Sequence, residues 1–314
     1  MEKTKKIVKI LGNILSVVAV VFIVSRFLKF ELDYRSIMNT KTLGWFGLAL
    51  LMQIVMILVA CFPWMKFVEI FSEKKMNFQE VQQIFVKSNL FKYIPGNVFQ
   101  YVARNELAIV TDTTHLEVAT ATLIDTVLSL GVAFLISLLM VREKIVQFLV
   151  DNYNRKLLII IIVVVVLVVV VCIGLLAFKR TQIEKAFSKM KKIVSVKNLK
   201  PFASVLIFYL FNNVLNCVIF LSILIGGLSY QIEVNQTLVL LGGFLFSMIA
   251  GIITPGASGG IGIRESVMMI ISANMFELDY IVLSMVILRI ISIVADIVAW
   301  LLCQGRKLIK ENVK

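Results

Sequence analysis

Charged residues are scarce in this sequence. They make up only 16% of the 314 residues, whereas 60% are hydrophobic. The run from Leu157 to Val171 contains no residue that a water-facing surface could use, and a soluble core cannot absorb so much apolar surface. The composition therefore excludes a water-soluble protein. It predicts an all-α polytopic membrane protein without a sizeable soluble domain.

Residues that carry metal or redox chemistry are also rare. The single histidine, His115, cannot form a histidine cluster, and we expect it in a solvated loop without a role. The four cysteines are far apart in apolar segments, without the paired spacing that metal sites or disulfides need. They are Cys61, Cys172, Cys217 and Cys303. No nucleotide-binding motif is present either, so we expect no cofactor.

The net charge of +13 could indicate nucleic acid as a partner. However, the basic residues occupy short loops between apolar spans and not one folded face, and membrane topology with anionic lipid headgroups explains them better. We therefore expect no nucleic-acid partner. We interpret the basic cluster Arg180–Lys200 as a cytoplasmic segment at the anionic lipid surface. A docking site for a soluble partner is the alternative.

Six segments contain the run of about 20 apolar residues that a spanning helix needs. The first is longer than the apolar run of a secretory signal, and no small-residue cleavage site follows it, so we expect a retained anchor helix. The predicted spans are Ile7–Leu28, Leu43–Trp64, Glu117–Val141, Leu157–Phe178, Pro201–Leu228 and Tyr280–Cys303.

Two further apolar regions are interrupted. Residues 78–110 are broken at Ile94-Pro95-Gly96-Asn97, and residues 236–275 are broken at Thr254-Pro255-Gly256-Ala257-Ser258-Gly259-Gly260. The arms beside each break are about 14 to 18 residues long, which at about 1.5 Å per residue falls short of, or barely reaches, a hydrocarbon core about 30 Å thick. We therefore predict two re-entrant helical hairpins whose tips meet near mid-membrane.

The distribution of Lys and Arg predicts the orientation. If both hairpins return to their side of entry, one side of the membrane carries 21 Lys or Arg and the other carries eight. The positive-inside rule then places both termini in the cytoplasm of a multi-pass plasma-membrane protein. A full span in the second interrupted region would place the basic tail Arg306–Lys314 outside, which fits the rule less well.

The two interrupted regions resemble each other at a constant offset of 160 residues. Because the predicted hairpins enter from opposite sides, this similarity predicts an inverted repeat within one membrane domain, residues 1–314, with halves of about 1–156 and 157–314. The alternative is coincidence, since proline and glycine are common in membrane helices. The matching residues are Pro95-Gly96 with Pro255-Gly256, Arg104 with Arg264, Glu106 with Glu265 and, after a short loop adjustment, Asp125 with Arg289.

Several charged residues lie at or near membrane depth, where each unpaired charge costs about 2.5–3.5 kcal/mol on insertion scales. We expect Asp125, Arg289 and Asp296 to form buried charge pairs, with Asp125 as the repeat-related counter-charge of Arg289. These pairs either clamp the two halves together or belong to a functional site. The full set is Arg104, Glu106, Asp125, Arg264, Glu265, Arg289 and Asp296.

The hairpin tips predict an anion site. A helix restarts after each Pro-Gly break, so its unpaired N–H groups and positive dipole end face the mid-membrane space. Glycines after the second break let a phosphate approach the backbone, and Arg264 can add a bidentate contact. Asn212, Asn213 and Asn216 either join helices or line the same space. The predicted substrate-binding residues are Asn97, Gln100, Tyr101, Arg104, Glu106, Gly256, Ser258, Gly259, Gly260, Arg264 and Glu265.

Two motifs are distinctive: Tyr93-Ile94-Pro95-Gly96-Asn97 followed by Arg104, and Gly259-Gly260-Ile261-Gly262-Ile263-Arg264-Glu265 after a Pro-Gly break. They resemble the transmembrane domain of lysylphosphatidylglycerol synthase/flippase proteins, and the resemblance covers nearly the whole chain. It implies a role in moving aminoacylated phosphatidylglycerol between leaflets. The separate aminoacyl transferase domain of that family is expected to be absent, because the sequence stops at Lys314, about ten residues after the last span.

Three functions follow as hypotheses. The preferred one is a flippase for a membrane phospholipid or another phosphate-bearing lipid, such as a polyprenyl-phosphate carrier, with Arg264 and Arg104 on the phosphate. The second is the family's phosphatidylglycerol lysyltransferase activity, for which the chain lacks a general base, a nucleophile in a polar setting and a soluble domain. The third is a non-transporting scaffold for a lipid-modifying enzyme. The lipid, the direction, the coupling and the oligomeric state, including a homo-oligomer, stay open.

Overall fold

A computed structural model describes residues 39–94, 98–151, 198–254, 260–273 and 275–312 of the chain. These residues form helices joined by short turns, with no β-strand among them. A 3-10 turn, Leu90–Tyr93, follows α3, and a π-helical turn, Ser222–Gly227, ends α6. The α-helices are α1 Thr40–Val59, α2 Cys61–Ser72, α3 Phe78–Asn89, α4 Phe99–Ala108, α5 His115–Asp151, α6 Leu199–Leu221, α7 Val234–Ile253, α8 Ile263–Ser272 and α9 Leu278–Asn312.

Five stretches of the described chain are long and apolar enough to cross a membrane. Four of them contain predicted spans, whereas the predicted spans Ile7–Leu28 and Leu157–Phe178 lie outside the described residues. The described part of the chain is therefore all-helical and contains several helices able to span a membrane, as the composition predicts. The five stretches are Thr40–Ser72, His115–Arg142, Leu199–Gly227, Val234–Ile253 and Leu278–Gly305.

The first interrupted region contains two short helices that pack against each other. α3 has 12 residues and α4 has 10, so each is only about 15–18 Å long and cannot cross a bilayer alone. Ile94 is extended, with φ −75° and ψ 133°, because the ring of a following proline disfavours helical backbone. The break itself, Pro95-Gly96-Asn97, lies outside the described residues.

The second interrupted region departs from the prediction in its first arm. α7 has 20 residues, longer than the predicted arm and about 30 Å in length, which suffices for a full span. It ends at Thr254, whose extended backbone, φ −70° and ψ 115°, precedes a proline. α8 is short, with 10 residues. The re-entrant hairpins and the inverted repeat therefore stay predictions.

The outer and inner surfaces of the spans differ as membrane helices require. Leu135 and Leu139 on α5 are 61% and 68% exposed, an apolar surface that water would disfavour and lipid accepts. Inside, α6, α7 and α9 share the largest apolar cluster. Phe220 and Phe244 stack there with their ring centroids 4.4 Å apart, which fixes α6 against α7.

A glycine allows the close approach of α5 and α7. A Cβ atom on Gly242 would overlap the Val141 side chain and lie 3.1 Å from the carbonyl oxygen of Ser137. The Ser137 hydroxyl donates a hydrogen bond of 2.8 Å to the carbonyl of Gly242. Small residues with such interhelical hydrogen bonds hold helices together in lipid, where the hydrophobic effect does not.

We expect Gly242→Ala to lower the free energy of unfolding by about 1–3 kcal/mol, because the added methyl group overpacks this contact. Gly131→Ala on α5 is the matched control, since a Cβ atom there meets nothing within 4 Å. Thermal unfolding in detergent, followed by intrinsic fluorescence, compares the two variants with the native protein. Equal stability of Gly242→Ala and the control would contradict the close packing of α5 on α7.

Candidate functional site

A polar cavity of about 260 Å³ lies among the spans. Its walls come from α1, α5, α6, α7, α8, α9 and the 3-10 turn after α3. Ser129, Asn213 and Ser292 line it, and each lies near the middle of its apolar stretch: His115–Arg142, Leu199–Gly227 and Leu278–Gly305. The cavity is therefore near the mid-depth of the spans, where polar groups are expensive and usually functional.

The charge on the cavity wall is mostly positive. Lys92, Arg264 and Arg289 line the cavity together with one carboxylate, Glu265. Arg289 Nε lies 3.3 Å from Glu265 Oε1, and Lys92 Nζ lies 2.5 Å from an oxygen of Asp296. The described residues form no ion pair with Arg264, which therefore gives the wall an excess of positive charge.

Arg264 lies in the first turn of α8, directly after the glycines of the second break. Its Nη1 lies 3.1 Å from the sulfur of Met248, a weak acceptor, and its buried Nε has no hydrogen-bond partner. A Cβ atom on Gly251 would lie 2.5 Å from the Arg264 side chain, and one on Gly260 would lie 2.9 Å from its Nε. The glycines therefore make room for a guanidinium whose Nε has no hydrogen-bond partner.

Glu265 fixes the start of α8. It is 2% exposed and accepts a 2.8 Å hydrogen bond from the backbone N–H of Gly262, whose φ of 82° favours glycine. Its other oxygen pairs with Arg289 on α9. Buried carboxylates need such pairing to offset their desolvation. Glu265 is thus a positioning residue that holds α8 and Arg289 at the cavity.

Asp296 joins α9 to the turn that precedes the first break. It is 1% exposed and accepts a 2.6 Å hydrogen bond from the Tyr93 hydroxyl as well as the contact from Lys92. The second carboxylate oxygen of Asp296 has no partner. This contact closes one wall of the cavity and links the two predicted halves of the chain.

Arg104, predicted to bind the lipid phosphate, is not among the residues that line this cavity. Its guanidinium is buried 3.9 Å from the ring centre of Phe85 and donates to Ser88 at 3.2 Å and to Asn89 at 3.0 Å. Asp125 lies 4.0 Å away. Arg104 therefore has acceptors of its own and acts as a structural cation between α3, α4 and α5.

Asp125 does not pair with Arg289, although the two positions align in the predicted repeat. Asp125 contacts Arg104 and accepts a 2.6 Å hydrogen bond from the Tyr209 hydroxyl, whereas Arg289 pairs with Glu265. In each half, the second arm of the interrupted region thus bonds to the long helix that follows it. The arginine of the pair is on the short helix α4 in the first predicted half, whereas it is on the long helix α9 in the second.

Other predicted site residues are distributed unevenly. Gln100 and Tyr101 are half-buried and Glu106 is exposed, and none of the three lines the cavity. Gly260 lies beside Arg264. His115 is exposed, as expected, but it is the first residue of α5 and not part of a loop. Asn97, Gly256, Ser258, Gly259, Cys172 and most of the basic cluster Arg180–Lys200 lie outside the described residues.

Sequence reasoning missed several lining residues. Gln53, Ser129 and Ser292 line the cavity but are single polar residues in apolar helices. Their position near the middle of a span is the signal that could have identified them. The asparagines Asn212, Asn213 and Asn216 do line the cavity, which is one of the two roles the sequence left open.

No protein-family model, no curated protein and no solved structure matches the chain. The similarity to lysylphosphatidylglycerol synthase/flippase proteins therefore stays a resemblance in two motifs.

We expect Glu265→Gln to lower the free energy of unfolding by about 3–5 kcal/mol, because it removes the buried carboxylate that pairs with Arg289. The double variant Glu265→Gln/Arg289→Gln should be more stable than Glu265→Gln alone, since neither charge of the pair is left behind. Denaturant unfolding in detergent micelles measures all variants, including Arg289→Gln. Additive effects of the two substitutions would show that the pair is not coupled.

Proposed function

We propose that this protein is a lipid flippase that moves a phosphate-bearing phospholipid between the two leaflets, with the headgroup passing through the mid-depth cavity. Arg264 carries this proposal. It is a cation at the cavity wall, it forms no ion pair with a described residue, and its Nε has no hydrogen-bond partner. A folded protein that keeps such a cation at membrane depth gains most from an anionic ligand.

The chemistry of the wall fits a phosphate. A guanidinium presents a planar set of N–H donors that matches two phosphate oxygens. Arg289 and Lys92 add positive charge on the same wall, although both already have acidic partners. Because the interior of a membrane protein screens charge poorly, a phosphate in this cavity is attracted far more strongly than in water.

The surroundings of the cavity fit a lipid. The lipid-facing sides of the spans are apolar, with Leu123, Leu135 and Leu139 of α5 each more than 60% exposed. Acyl chains can therefore stay in the bilayer while the headgroup enters the polar space between the helices. A soluble ion would require no such apolar approach. This arrangement supports a lipid over a free anion as the substrate.

A repeated contact supports a two-fold arrangement around the site. Arg104 donates to Ser88, and Arg264 donates to Met248. In both contacts the acceptor precedes the arginine by 16 residues. The two arginines, and likewise the two acceptors, are 160 residues apart, as in the predicted repeat. Inverted repeats with discontinuous helices commonly build a transporter's substrate site at their interface and alternate its access. The contact from Lys92 and Tyr93 to Asp296 joins the two halves and is the link that such a motion would break.

The remaining assignments follow from this proposal. The flippase would act in the plasma membrane with both termini in the cytoplasm, and the basic cluster Arg180–Lys200 would contact anionic lipid there. The resemblance to the lysylphosphatidylglycerol synthase/flippase family points to the same activity. Lysyltransferase activity finds no support in the cavity, because the described part of it contains cations and neutral polar groups but no unpaired carboxylate as a general base.

We expect Arg264→Ala to slow lipid translocation about ten- to a hundredfold, because the variant loses one to two charge-assisted hydrogen bonds to the phosphate. Arg264→Lys should be intermediate, because it keeps the charge and loses the bidentate geometry. The rate is measured in proteoliposomes that contain acyl-labelled phosphatidylglycerol, by chemical quenching of the outer leaflet.

Lys87→Ala is the control, since Lys87 is exposed and does not line the cavity. All variants must first show the same thermal unfolding as the native protein. Native translocation by a folded Arg264→Ala variant would refute the proposed site. If the native protein moves no lipid faster than protein-free vesicles, the flippase proposal fails and the scaffold hypothesis gains support.

A further inference from the structure

The neutral polar groups on the cavity wall offer acceptors more than donors. Ser129 donates its hydroxyl proton to the carbonyl of Thr126 at 3.1 Å, and Ser292 donates to the carbonyl of Leu288 at 2.8 Å. A hydroxyl has only one proton, so what remains for a ligand is the oxygen's lone pairs. Both side chains are therefore acceptors toward the cavity.

The asparagines on α6 also offer oxygen acceptors, although each amide nitrogen keeps one further N–H. Asn213 Nδ2 donates to the carbonyl of Tyr209, and Asn216 Nδ2 donates to the carbonyl of Asn212, both at 2.8 Å. Because a carbonyl can only accept, these bonds fix which end of each amide is the nitrogen. No described residue donates to the carboxamide oxygens, and both residues line the cavity. These oxygens are therefore open to a ligand's donors.

Three more lining groups extend the pattern. The hydroxyls of Tyr93 and Tyr209 each give their proton to a carboxylate at 2.6 Å, so they too can only accept. Gln53 is 7% exposed, and its amide oxygen is buried without a partner. An unsatisfied buried acceptor costs about 1–3 kcal/mol. A ligand with hydrogen-bond donors would satisfy this wall.

Lipid headgroups carry such donors either as hydroxyls or as an ammonium group. An ammonium group needs a carboxylate partner in a buried site, and the carboxylates near this cavity already have cationic partners. Glu265 pairs with Arg289, and Asp296 pairs with Lys92. The excess positive charge that Arg264 contributes also repels an ammonium group. Uncharged hydroxyls satisfy the acceptors without this repulsion.

We infer that the headgroup recognised here is an anionic phosphodiester that carries an uncharged polyol, such as glycerol or a sugar, and not a zwitterionic or aminoacylated headgroup. The inference rests on the proposed flippase function and names the substrate class of that site. The phosphate meets the cationic wall, and the hydroxyls meet the acceptors of α5, α6 and α9. It departs from the aminoacylated lipid that the family resemblance implies.

The test compares acyl-labelled lipids that differ only in the headgroup: phosphatidylglycerol, phosphatidylethanolamine, aminoacylated phosphatidylglycerol and phosphatidic acid. We expect the native protein to translocate phosphatidylglycerol about tenfold faster than each of the other three lipids. This difference corresponds to at least one buried hydrogen bond that only the glycerol headgroup makes. Equal or faster movement of an ammonium-bearing headgroup would overturn the inference.

A variant with a changed headgroup preference distinguishes an effect on lipid recognition from an effect on folding. Asn216→Asp places a carboxylate on the acceptor wall, and it should raise the rate for phosphatidylethanolamine relative to phosphatidylglycerol. Asn235→Asp is the matched control, because Asn235 is exposed at the start of α7 and does not line the cavity. Unchanged relative rates in a folded Asn216→Asp variant would also count against the inference.

A binding measurement distinguishes the two proposals. The shift in unfolding temperature in detergent is measured with added short-chain phosphatidylglycerol, phosphatidylethanolamine or phosphatidic acid. Preferential stabilisation by phosphatidylglycerol without any translocation would overturn the flippase function but support the polyol specificity. Translocation with no preference for phosphatidylglycerol in either assay would leave the flippase in place and overturn the specificity.

Discussion

A charge in the middle of a bilayer has no water to solvate it, so it must find a partner or leave the protein less stable. The interior of this protein follows from that constraint. Arg104 with Asp125, Glu265 with Arg289, and Lys92 with Asp296 tie α4, α8 and the 3-10 turn, which are too short to cross a membrane, to the long spans. Arg264, on the cavity wall, is the exception, since it forms no ion pair within the described part of the chain.

Four of the five described spans, and the ends of the helices at the two breaks, could be predicted from the sequence, because apolar length and proline act locally. The span Val234–Ile253 was predicted wrongly, as a short re-entrant arm. The backbone leaves the helix at Ile94 and Thr254, each directly before a proline. The pairing could not be predicted, since partners depend on packing. Arg104 and Arg264 occupy matching positions of the predicted repeat, yet Arg104 donates to Ser88 and Asn89 of α3, whereas Arg264 donates to the sulfur of Met248 on α7. The sequence shows that these acceptor positions hold different residues, but it does not show that they contact the two arginines.

The cavity combines two kinds of recognition on different helices. α8, α9 and the 3-10 turn supply the cations, and neutral residues of α1, α5, α6 and α9 supply oxygen acceptors. Ser129, Ser292, Asn213 and Asn216 are each held by a hydrogen bond to a carbonyl of their own helix. This part of the wall is therefore preorganised and loses little freedom when a ligand binds. α7 contributes the apolar side and, through Gly251, the space that the Arg264 side chain occupies. A phosphate and a polyol fit these two walls together.

The central claim is that a positively charged cavity, open to polar ligands, lies at mid-depth. The most direct measurement is the reaction of Ser292→Cys, in a background without the native cysteines, with an anionic sulfonated thiol reagent and its cationic trimethylammonium counterpart. The account predicts faster reaction with the anionic reagent and loss of that preference when Arg264→Gln is added. No reaction with either reagent, or faster reaction with the cationic one, would contradict it.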